Sequence, residues 1–290
     1  MMEVLRPRTL VDALAMKAEH PEAVPIAGGT DLMVELNFDR RRPERLLDLS
    51  RLGELRGWRY LDGRIVVGAG TTYASLLADP VPCLPLAQAS RTIGSPQIRN
   101  RGTIGGNVGT ASPAGDALPV LAAYDAEVVL NSAAGGRTLP WSQFLTGPKR
   151  NAMRADEIIV EVRWPATRGP SSFSKVGARN AMAIAVASLC LILDEDRRSA
   201  RVALGSVGPT ILRAHAAEAA LCRALAAAGA WDDVDAPVPD AVLARFAEEV
   251  AAAAQPIDDV RGTAAYRRHV CCVLARRAIG WALRDRRAAA

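Results

Sequence analysis

Two glycine pairs are the features that most limit how this chain can fold. Gly28-Gly29 follows a short apolar stretch typical of a strand, and Gly105-Gly106 follows a segment rich in turn-forming residues. Glycine tolerates positive φ and close approach of other groups, so each pair predicts a tight turn. Exposed N–H groups in such turns suit a phosphate. A threonine flanks both pairs, at Thr30 and Thr103, which leaves two interpretations: structural turns, or two sides of one diphosphate site.

The common nucleotide-binding patterns do not cover these glycines. No G-x-G-x-x-G follows a strand and no G-x-x-x-x-G-K-[ST] is present, which argues against a classical Rossmann or P-loop site. Asp116 lies nine residues beyond Asn107, counting along the sequence. Its carboxylate is suited either to accept hydrogen bonds from ribose hydroxyls or to cap the helix predicted to begin near Leu118.

Composition excludes several classes of protein. The 290 residues are 50% hydrophobic and 23% charged, a balance typical of a folded globular chain rather than a disordered one. The net charge of +5 is spread along the chain, and its short basic clusters, Arg40 to Arg42 and Arg284 to Arg287, are too short to indicate a nucleic-acid arm. No role follows from the sequence for either cluster, and no nucleic-acid partner is expected.

Residues able to break bonds or hold metals show no recognisable pattern. The five cysteines have no C-x-x-C spacing, so neither a metal site nor an iron–sulfur cluster is expected on this chain. The three histidines lack a Ser, Cys or Asp partner in a catalytic pattern, and no catalytic residue is predicted. These features favour a bound cofactor that carries the chemistry. Without a signal-peptide core or 18 consecutive apolar residues, a soluble cytoplasmic protein with no transmembrane segment is expected.

The element pattern changes twice along the chain. Helix and strand signals alternate in residues 1–55, strands interrupted by short helices follow in 56–170, and two strands precede alanine-rich helices in 171–290. The segment 93–107 is expected to be irregular because turn-forming residues interrupt its apolar pieces. An α+β protein with domains at 1–55, 56–170 and 171–290 is therefore predicted.

Four motifs resemble one family, in its order and spacing. They are residues 25–32 (PIAGGTDL), 96–107 (PQIRNRGTIGGN), 111–116 (ASPAGD) and 173–179 (FSKVGAR). The sequence is similar over nearly its whole length to the FAD-binding medium subunit of the molybdenum hydroxylases, the xanthine dehydrogenase and carbon monoxide dehydrogenase family. The resemblance implies an FAD domain of two subdomains, of the vanillyl-alcohol-oxidase type, and then a C-terminal domain with a three-stranded sheet and helices.

The resemblance also implies a set of FAD contacts. Both glycine segments would hold the pyrophosphate, Asp116 would bind the ribose or an adjacent part, and Ile159 and Lys175 would lie near the flavin ring. A cation there would stabilise negative charge on the reduced ring. The implied cofactor-binding residues are Ile26, Ala27, Gly28, Gly29, Thr30, Asp31, Leu32, Thr103, Ile104, Gly105, Gly106, Asn107, Ser112, Asp116, Ile159 and Lys175.

In such enzymes the flavin chain is one of three. A large subunit carries the molybdopterin cofactor, a small subunit carries two [2Fe-2S] clusters, and FAD passes electrons to an acceptor such as NAD⁺ or a quinone. A dimer of heterotrimers is implied. The favoured substrate is xanthine or another N-heterocycle. The alternative functions for the chain are the flavin subunit of an aerobic carbon monoxide dehydrogenase, a self-sufficient FAD oxidase and a non-catalytic assembly module.

Overall fold

The structure is a computed structural model that describes residues 2–289. Its strands, in chain order, are β1 (Glu3–Leu5), β2 (Val24–Ile26), β3 (Arg45–Asp48), β4 (Trp58–Leu61), β5 (Arg64–Gly68), β6 (Glu127–Ser132), β7 (Gly135–Pro140), β8 (Leu145–Gly147), β9 (Arg150–Asn151), β10 (Ile158–Pro165), β11 (Ser171–Gly177), β12 (Ala185–Asp194), β13 (Ser199–Gly205) and β14 (Leu212–Arg213). Its helices are α1 (Leu10–Glu19), α2 (Leu32–Asn37), α3 (Tyr73–Ala78), α4 (Leu84–Thr92), α5 (Pro96–Arg101), α6 (Ile104–Thr110), α7 (Ala117–Ala123), α8 (Trp141–Phe144), α9 (His215–Ala227), α10 (Asp240–Ala252) and α11 (Ala264–Ala289), with a 3₁₀ turn at Gly53–Leu55.

The described residues divide into two compact units. The first contains residues 2–82, 93–112 and 125–165, and the second contains residues 83–92, 113–124 and 166–289. Each unit therefore draws on several stretches of chain. The predicted domain boundaries at residues 55 and 170 stay predictions.

A small parallel sheet opens the first unit. Its strand order is β1-β3-β2, with β3 parallel to both neighbours. Helix α1 connects the strands and begins at a capping box, in which Thr9 and Asp12 exchange side-chain and backbone hydrogen bonds. Since β2 ends at Ile26, the chain leaves the sheet directly into the first glycine pair.

A five-stranded antiparallel sheet forms the rest of the first unit's framework. Its order is β4-β5-β10-β6-β7, so β10 lies at the centre and pairs with β5 and β6. The central position explains why Ile158, Val162 and Trp164 of β10 are almost fully buried. The pairing of β10 with β6 shifts register between Ile159 and Glu161, which indicates a bulge near the predicted site residue Ile159.

The segment 93–107 is more regular than expected. Helix α5 begins after Ser95, whose hydroxyl accepts from the Ile98 N–H, and has Pro96 in its first turn. Helix α6 begins after Thr103, whose hydroxyl accepts from the Gly106 N–H. The prediction of an irregular segment was wrong, because two hydroxyl N-caps start helices despite the glycines that disfavour them.

The second unit is built on an antiparallel sheet in the order β11-β12-β13-β14. Three long strands match the three that the resemblance implied, and the two-residue β14 extends the sheet by a short edge. Every residue of β12 is buried, as expected for a strand covered on both faces. Helices α4 and α7 pack on this sheet together with α9 and α11, so the predicted mixture of helices and strands is confirmed.

The second unit's core is aliphatic and alanine-rich, and it joins β12 and β13 to α9, α10 and α11. Small alanine side chains let these helices pack closely. Among the helices of residues 2–289, none combines the length and the apolar character needed to cross a lipid bilayer.

Candidate functional site

The two glycine segments lie side by side in the first unit. A Cβ placed on Gly28 would overlap the carbonyl oxygen of Arg101, the last residue of α5. The Thr30 hydroxyl oxygen lies 3.6 Å from the position that a Cβ would occupy on Gly102. Gly28 is therefore a glycine because the loop rests directly on the backbone that leads into α6.

A hydrogen bond joins the end of the first glycine loop to the end of α6. The Thr110 hydroxyl, at the last residue of α6, donates to Oδ2 of Asp31 at 3.1 Å. The first glycine loop is thus held at Gly28 by packing and at Asp31 by a hydrogen bond. Sequence reasoning did not single out Thr110, although a helical register for residues 103–110 would have placed it on the same face as Thr103.

The first loop presents hydrogen-bond donors that the chain itself does not use. Within residues 2–289, the consecutive N–H groups of Gly28, Gly29, Thr30 and Asp31 make no hydrogen bond to the protein. Gly29 has φ of 75°, the left-handed conformation that lets successive N–H groups turn towards one point. Gly28, Gly29 and Thr30 are partly exposed and Asp31 is exposed. Such a row of N–H groups is suited to an anion.

The second glycine segment uses its donors internally. The Ile104 N–H donates to the Thr71 carbonyl at 3.0 Å, and the Gly105 N–H donates to the Ala69 carbonyl at 2.8 Å. The Gly106 and Asn107 N–H groups bond to Thr103 at the helix N-cap. The contacts of residues 103–107 with a phosphate stay a prediction. They would come from side chains and exposed backbone surface, because these N–H groups are already hydrogen-bonded within the protein.

Helix α6 has no side chain on its exposed face at Gly106. Gly106 is exposed, and among the described residues a Cβ there would meet only the Thr103 hydroxyl, at 3.0 Å. By contrast, a Cβ on Gly105 would lie 2.5 Å from the Ala69 Cβ, since Gly105 faces the protein. The next residue, Asn107, has a buried side-chain oxygen without a partner in the part of the chain that the structure describes. The exposed surface of α6 at Gly106 therefore consists of bare backbone.

Ile159 lies behind the same helix. It is 7% exposed in β10, and its Cδ1 atom is 3.5 Å from the position of a Cβ on Gly109. Ser112 follows α6, just after Ala111, whose φ of 51° ends the helix in a left-handed conformation. The first unit thus contains both glycine segments, Ile159 and Ser112.

Asp116 and Lys175 meet in the second unit. The Lys175 ammonium lies 2.5 Å from Oδ2 of Asp116 and also donates to the Thr92 carbonyl at 3.1 Å. The Thr92 hydroxyl donates to the same carboxylate oxygen at 3.1 Å. Burial raises the pKa of Asp116, and the Lys175 charge and hydrogen bonds from Lys175 and Thr92 oppose this rise.

The alternative role of Asp116 as a helix cap is not observed. Asp116 precedes α7, but its side chain makes no capping hydrogen bond and its backbone is helical. The other carboxylate oxygen, Oδ1, is buried with no partner in the described residues. Asp116 therefore has one oxygen that accepts from Lys175 and Thr92 and one buried oxygen without a described partner, and its predicted contact with a ribose stays a prediction.

These features fit a dinucleotide cofactor with a diphosphate. A diphosphate needs several hydrogen-bond donors close together, which the consecutive N–H groups of Gly28 to Asp31 supply, and a close approach, which Gly106 permits. Within residues 2–289, no group of three or more His, Cys, Asp or Glu side chains is placed to hold a metal ion. The N–H groups of the first glycine loop and the open backbone at Gly106 are suited to bind an organic cofactor.

Two family models match consecutive parts of the chain. Residues 1–167 match the model described as the FAD binding domain in molybdopterin dehydrogenase. Residues 172–282 match the model described as the CO dehydrogenase flavoprotein C-terminal domain. Together they cover both glycine segments and Lys175.

Individual proteins show the same likeness. The carbon monoxide dehydrogenase medium chain of Hydrogenophaga pseudoflava is 31% identical, over 95% of this chain and 96% of its own. The xanthine dehydrogenase FAD-binding subunit of Escherichia coli O157:H7 is 34% identical, over 73% of this chain and 76% of its own.

A solved structure has the same fold. In carbon monoxide dehydrogenase from H. pseudoflava, in a form that lacks the Mo-pyranopterin moiety of the molybdenum cofactor, one chain superimposes with a TM-score of 0.85. The two are 30% identical, and the match covers 97% of this chain and 96% of that one.

Proposed function

Because this chain belongs to the family of FAD-binding subunits of the molybdopterin dehydrogenases, we propose that it passes electrons from an iron–sulfur partner to an external acceptor. The observation that carries the proposal is the row of N–H groups at Gly28 to Asp31 that make no hydrogen bond within residues 2–289, together with the exposed backbone of Gly106. These groups suit the FAD pyrophosphate.

The predicted contacts have distinct proposed tasks. Gly28 to Asp31 donate hydrogen bonds to the pyrophosphate, and Gly106 leaves room for it. Asp116 accepts a hydrogen bond from a ribose hydroxyl or an adjacent part of the cofactor. The remaining predicted contacts are Ile26, Ala27, Leu32, Thr103, Ile104, Gly105, Asn107, Ser112, Ile159 and Lys175.

FAD, when bound, supplies a ring that accepts single electrons and releases them in pairs. The chain's own contribution is to bind and orient that group. Lys175, the cation proposed near the flavin ring, is paired with the Asp116 carboxylate. The net charge of the pair is therefore small. We expect this pair to position the ring more than to attract electrons to it.

The partners follow from the family. We propose a large molybdopterin subunit, a small subunit with two [2Fe-2S] clusters, and a dimer of heterotrimers in the cytoplasm. The acceptor is NAD⁺ or a quinone. We propose two candidate substrates: carbon monoxide, or an N-heterocycle such as xanthine. The relative named for xanthine is 34% identical to this chain, and the relative named for carbon monoxide is 31% identical.

The test is an absorption spectrum of the chain purified with its native partners. Flavin bands on top of broad iron–sulfur absorbance, with two co-purifying chains, would support the proposal. A flavin spectrum from the chain alone would favour a self-sufficient FAD oxidase, and a colourless protein would favour an assembly module. Reduction of the intact complex by xanthine or by carbon monoxide, followed at the flavin bands, would then distinguish the two substrates.

A further inference from the structure

Helix α2 exposes an apolar surface directly after the first glycine loop. None of its residues is buried. Met33, Val34 and the following Phe38 are 44%, 47% and 68% exposed. Three large apolar side chains within six residues form an unusual surface for a helix of this length, because such side chains normally pack against a core.

Cations surround these apolar side chains. The Arg40 guanidinium lies 5.4 Å from the centre of the Phe38 ring. Glu35 lies between two further cations, with the Lys149 ammonium at 3.4 Å and the Arg41 guanidinium at 3.9 Å. One carboxylate therefore neutralises only one of these two positive charges, and the net charge of the surface is positive. We call Met33, Val34, Phe38, Arg40, Arg41 and Lys149 the basic–apolar surface.

The charge of this surface limits what covers it. In a two-fold dimer, the same patch would face itself and bring Arg40 and Arg41 near their own copies, which is unfavourable. Helix α2 has six residues, and helices that lie in a membrane interface present longer apolar faces. A protein surface with carboxylates around an apolar centre complements both the charge and the exposed Phe38.

We propose that the basic–apolar surface docks a different protein chain of the native complex, through an acidic patch with an apolar centre. This inference rests on the proposed function, which requires partner chains. Phe38 fills the centre of the contact, and Arg41 and Lys149 pair with carboxylates at its rim. The surface gives Arg40 and Arg41, two residues of the basic cluster, a role that the sequence alone did not supply.

The experiment uses the complex purified from its native source or from co-expression of its chains. Phe38→Ser removes the apolar centre, and Arg41→Glu reverses one charge. We expect each to raise the Kd between this chain and its partner about tenfold or more, measured by sedimentation. The wild-type Kd should also rise with NaCl concentration, and Arg41→Glu should flatten that dependence.

Matched controls separate docking from folding. Tyr60→Ser removes an aromatic side chain that is 62% exposed, and Arg51→Glu reverses an exposed charge, both elsewhere in the first unit. Both controls should leave the Kd unchanged. All four variants should keep the wild-type FAD content and unfolding midpoint, because Phe38 and Arg41 are exposed.

Several results would overturn the inference. Kd values within twofold of wild type for Phe38→Ser and Arg41→Glu, in a complex that contains FAD and partners, would refute this surface while leaving the proposed function intact. A wild-type chain that lacks FAD and partners would refute both. Loss of self-association in Phe38→Ser would assign the surface to a second copy. Sedimentation of the wild-type chain, but not Phe38→Ser, with phosphatidylserine vesicles would assign it to a membrane.

Discussion

Lys175 and Asp116 form an ion pair in which the ammonium lies 2.5 Å from the carboxylate, and their side chains are only 8% and 6% exposed. Burial by itself would favour the neutral acid, and it raises the pKa of Asp116. Lys175 and the Thr92 hydroxyl oppose that effect by bonding the same oxygen, Oδ2. The two charges are therefore tolerated only together.

Lys175→Met tests this dependence. Removing the cation leaves the Asp116 carboxylate buried without its counter-charge, so we expect the free energy of unfolding to fall by about 3–5 kcal/mol. Urea denaturation followed by circular dichroism measures it. The double variant Lys175→Met/Asp116→Leu should recover much of the loss, because it removes both charges. A single variant as stable as wild type would contradict the pair's role.

Gly106→Ala tests the proposed cofactor surface. The new methyl group would face outwards and, of residues 2–289, meet only the Thr103 hydroxyl within 4 Å, so the fold should tolerate it. Alanine also favours a helix over glycine by about 1 kcal/mol. We therefore expect an unchanged or higher unfolding midpoint without cofactor, together with FAD affinity lowered about tenfold or more. Fluorescence titration of the deflavinated protein with FAD checks the affinity.

Gly105→Ala is the matched comparison for that variant. Its methyl group would lie 2.7 Å from the Ala69 carbonyl oxygen, so we expect a loss of about 1–3 kcal/mol in stability even without FAD. Unchanged FAD binding in Gly106→Ala, with the fold intact, would show that no ligand approaches α6 there.

Thiol reactivity tests the described burial of the cysteines. Cys222 and Cys272 are partly exposed, whereas Cys83, Cys190 and Cys271 are buried. Burial raises the pKa of Cys83 and of Cys271 to about 12, which suppresses the reactive thiolate. A chromogenic disulfide reagent should therefore modify Cys222 and Cys272 in the native protein, as shown by mass spectrometry. Fast labelling of Cys83 without denaturant would contradict the packing.

Stability should also fall in alkaline solution. The unfolded Cys83 thiol ionises near its ordinary pKa of 9.0, while the folded one holds its proton until about 12. Between these values the folded state binds more protons, so its stability falls as pH rises, by up to about 1.4 kcal/mol per pH unit for this group. Urea midpoints from pH 8 to 11 measure the slope, and Cys83→Ala should make it shallower. Equal slopes for the two proteins would refute the assignment.

Local sequence signals predicted many of the elements. Thr9 and Thr72 both cap helices where a hydroxyl precedes an amphipathic run, and Val24 to Ile26 forms the short strand that the glycines end. These features depend on residues within one or two turns of each other, which a sequence displays directly. The likeness of four motifs supplied the family and the order of its parts.

Long-range contacts could not be predicted in this way. The amide donors of Ile104 and Gly105 bond to Thr71 and Ala69, some 35 residues earlier, as counted along the chain. Similarly, Asp116 pairs with Lys175 on a later strand instead of capping α7. Such contacts decide which N–H groups remain unbonded and available to a ligand. The two glycine pairs therefore look alike in the sequence but differ in the structure.

Gly105 and Gly106 are neighbours that are glycines for unrelated reasons. Gly105 faces Ala69 and is needed by the fold, whereas Gly106 faces outwards and has space around it. If Gly106 contacts the cofactor as proposed, a homologue that lost its flavin would still be selected to keep the glycine at position 105 but could lose the one at position 106. The two adjacent positions would then report separately on the fold and on the cofactor.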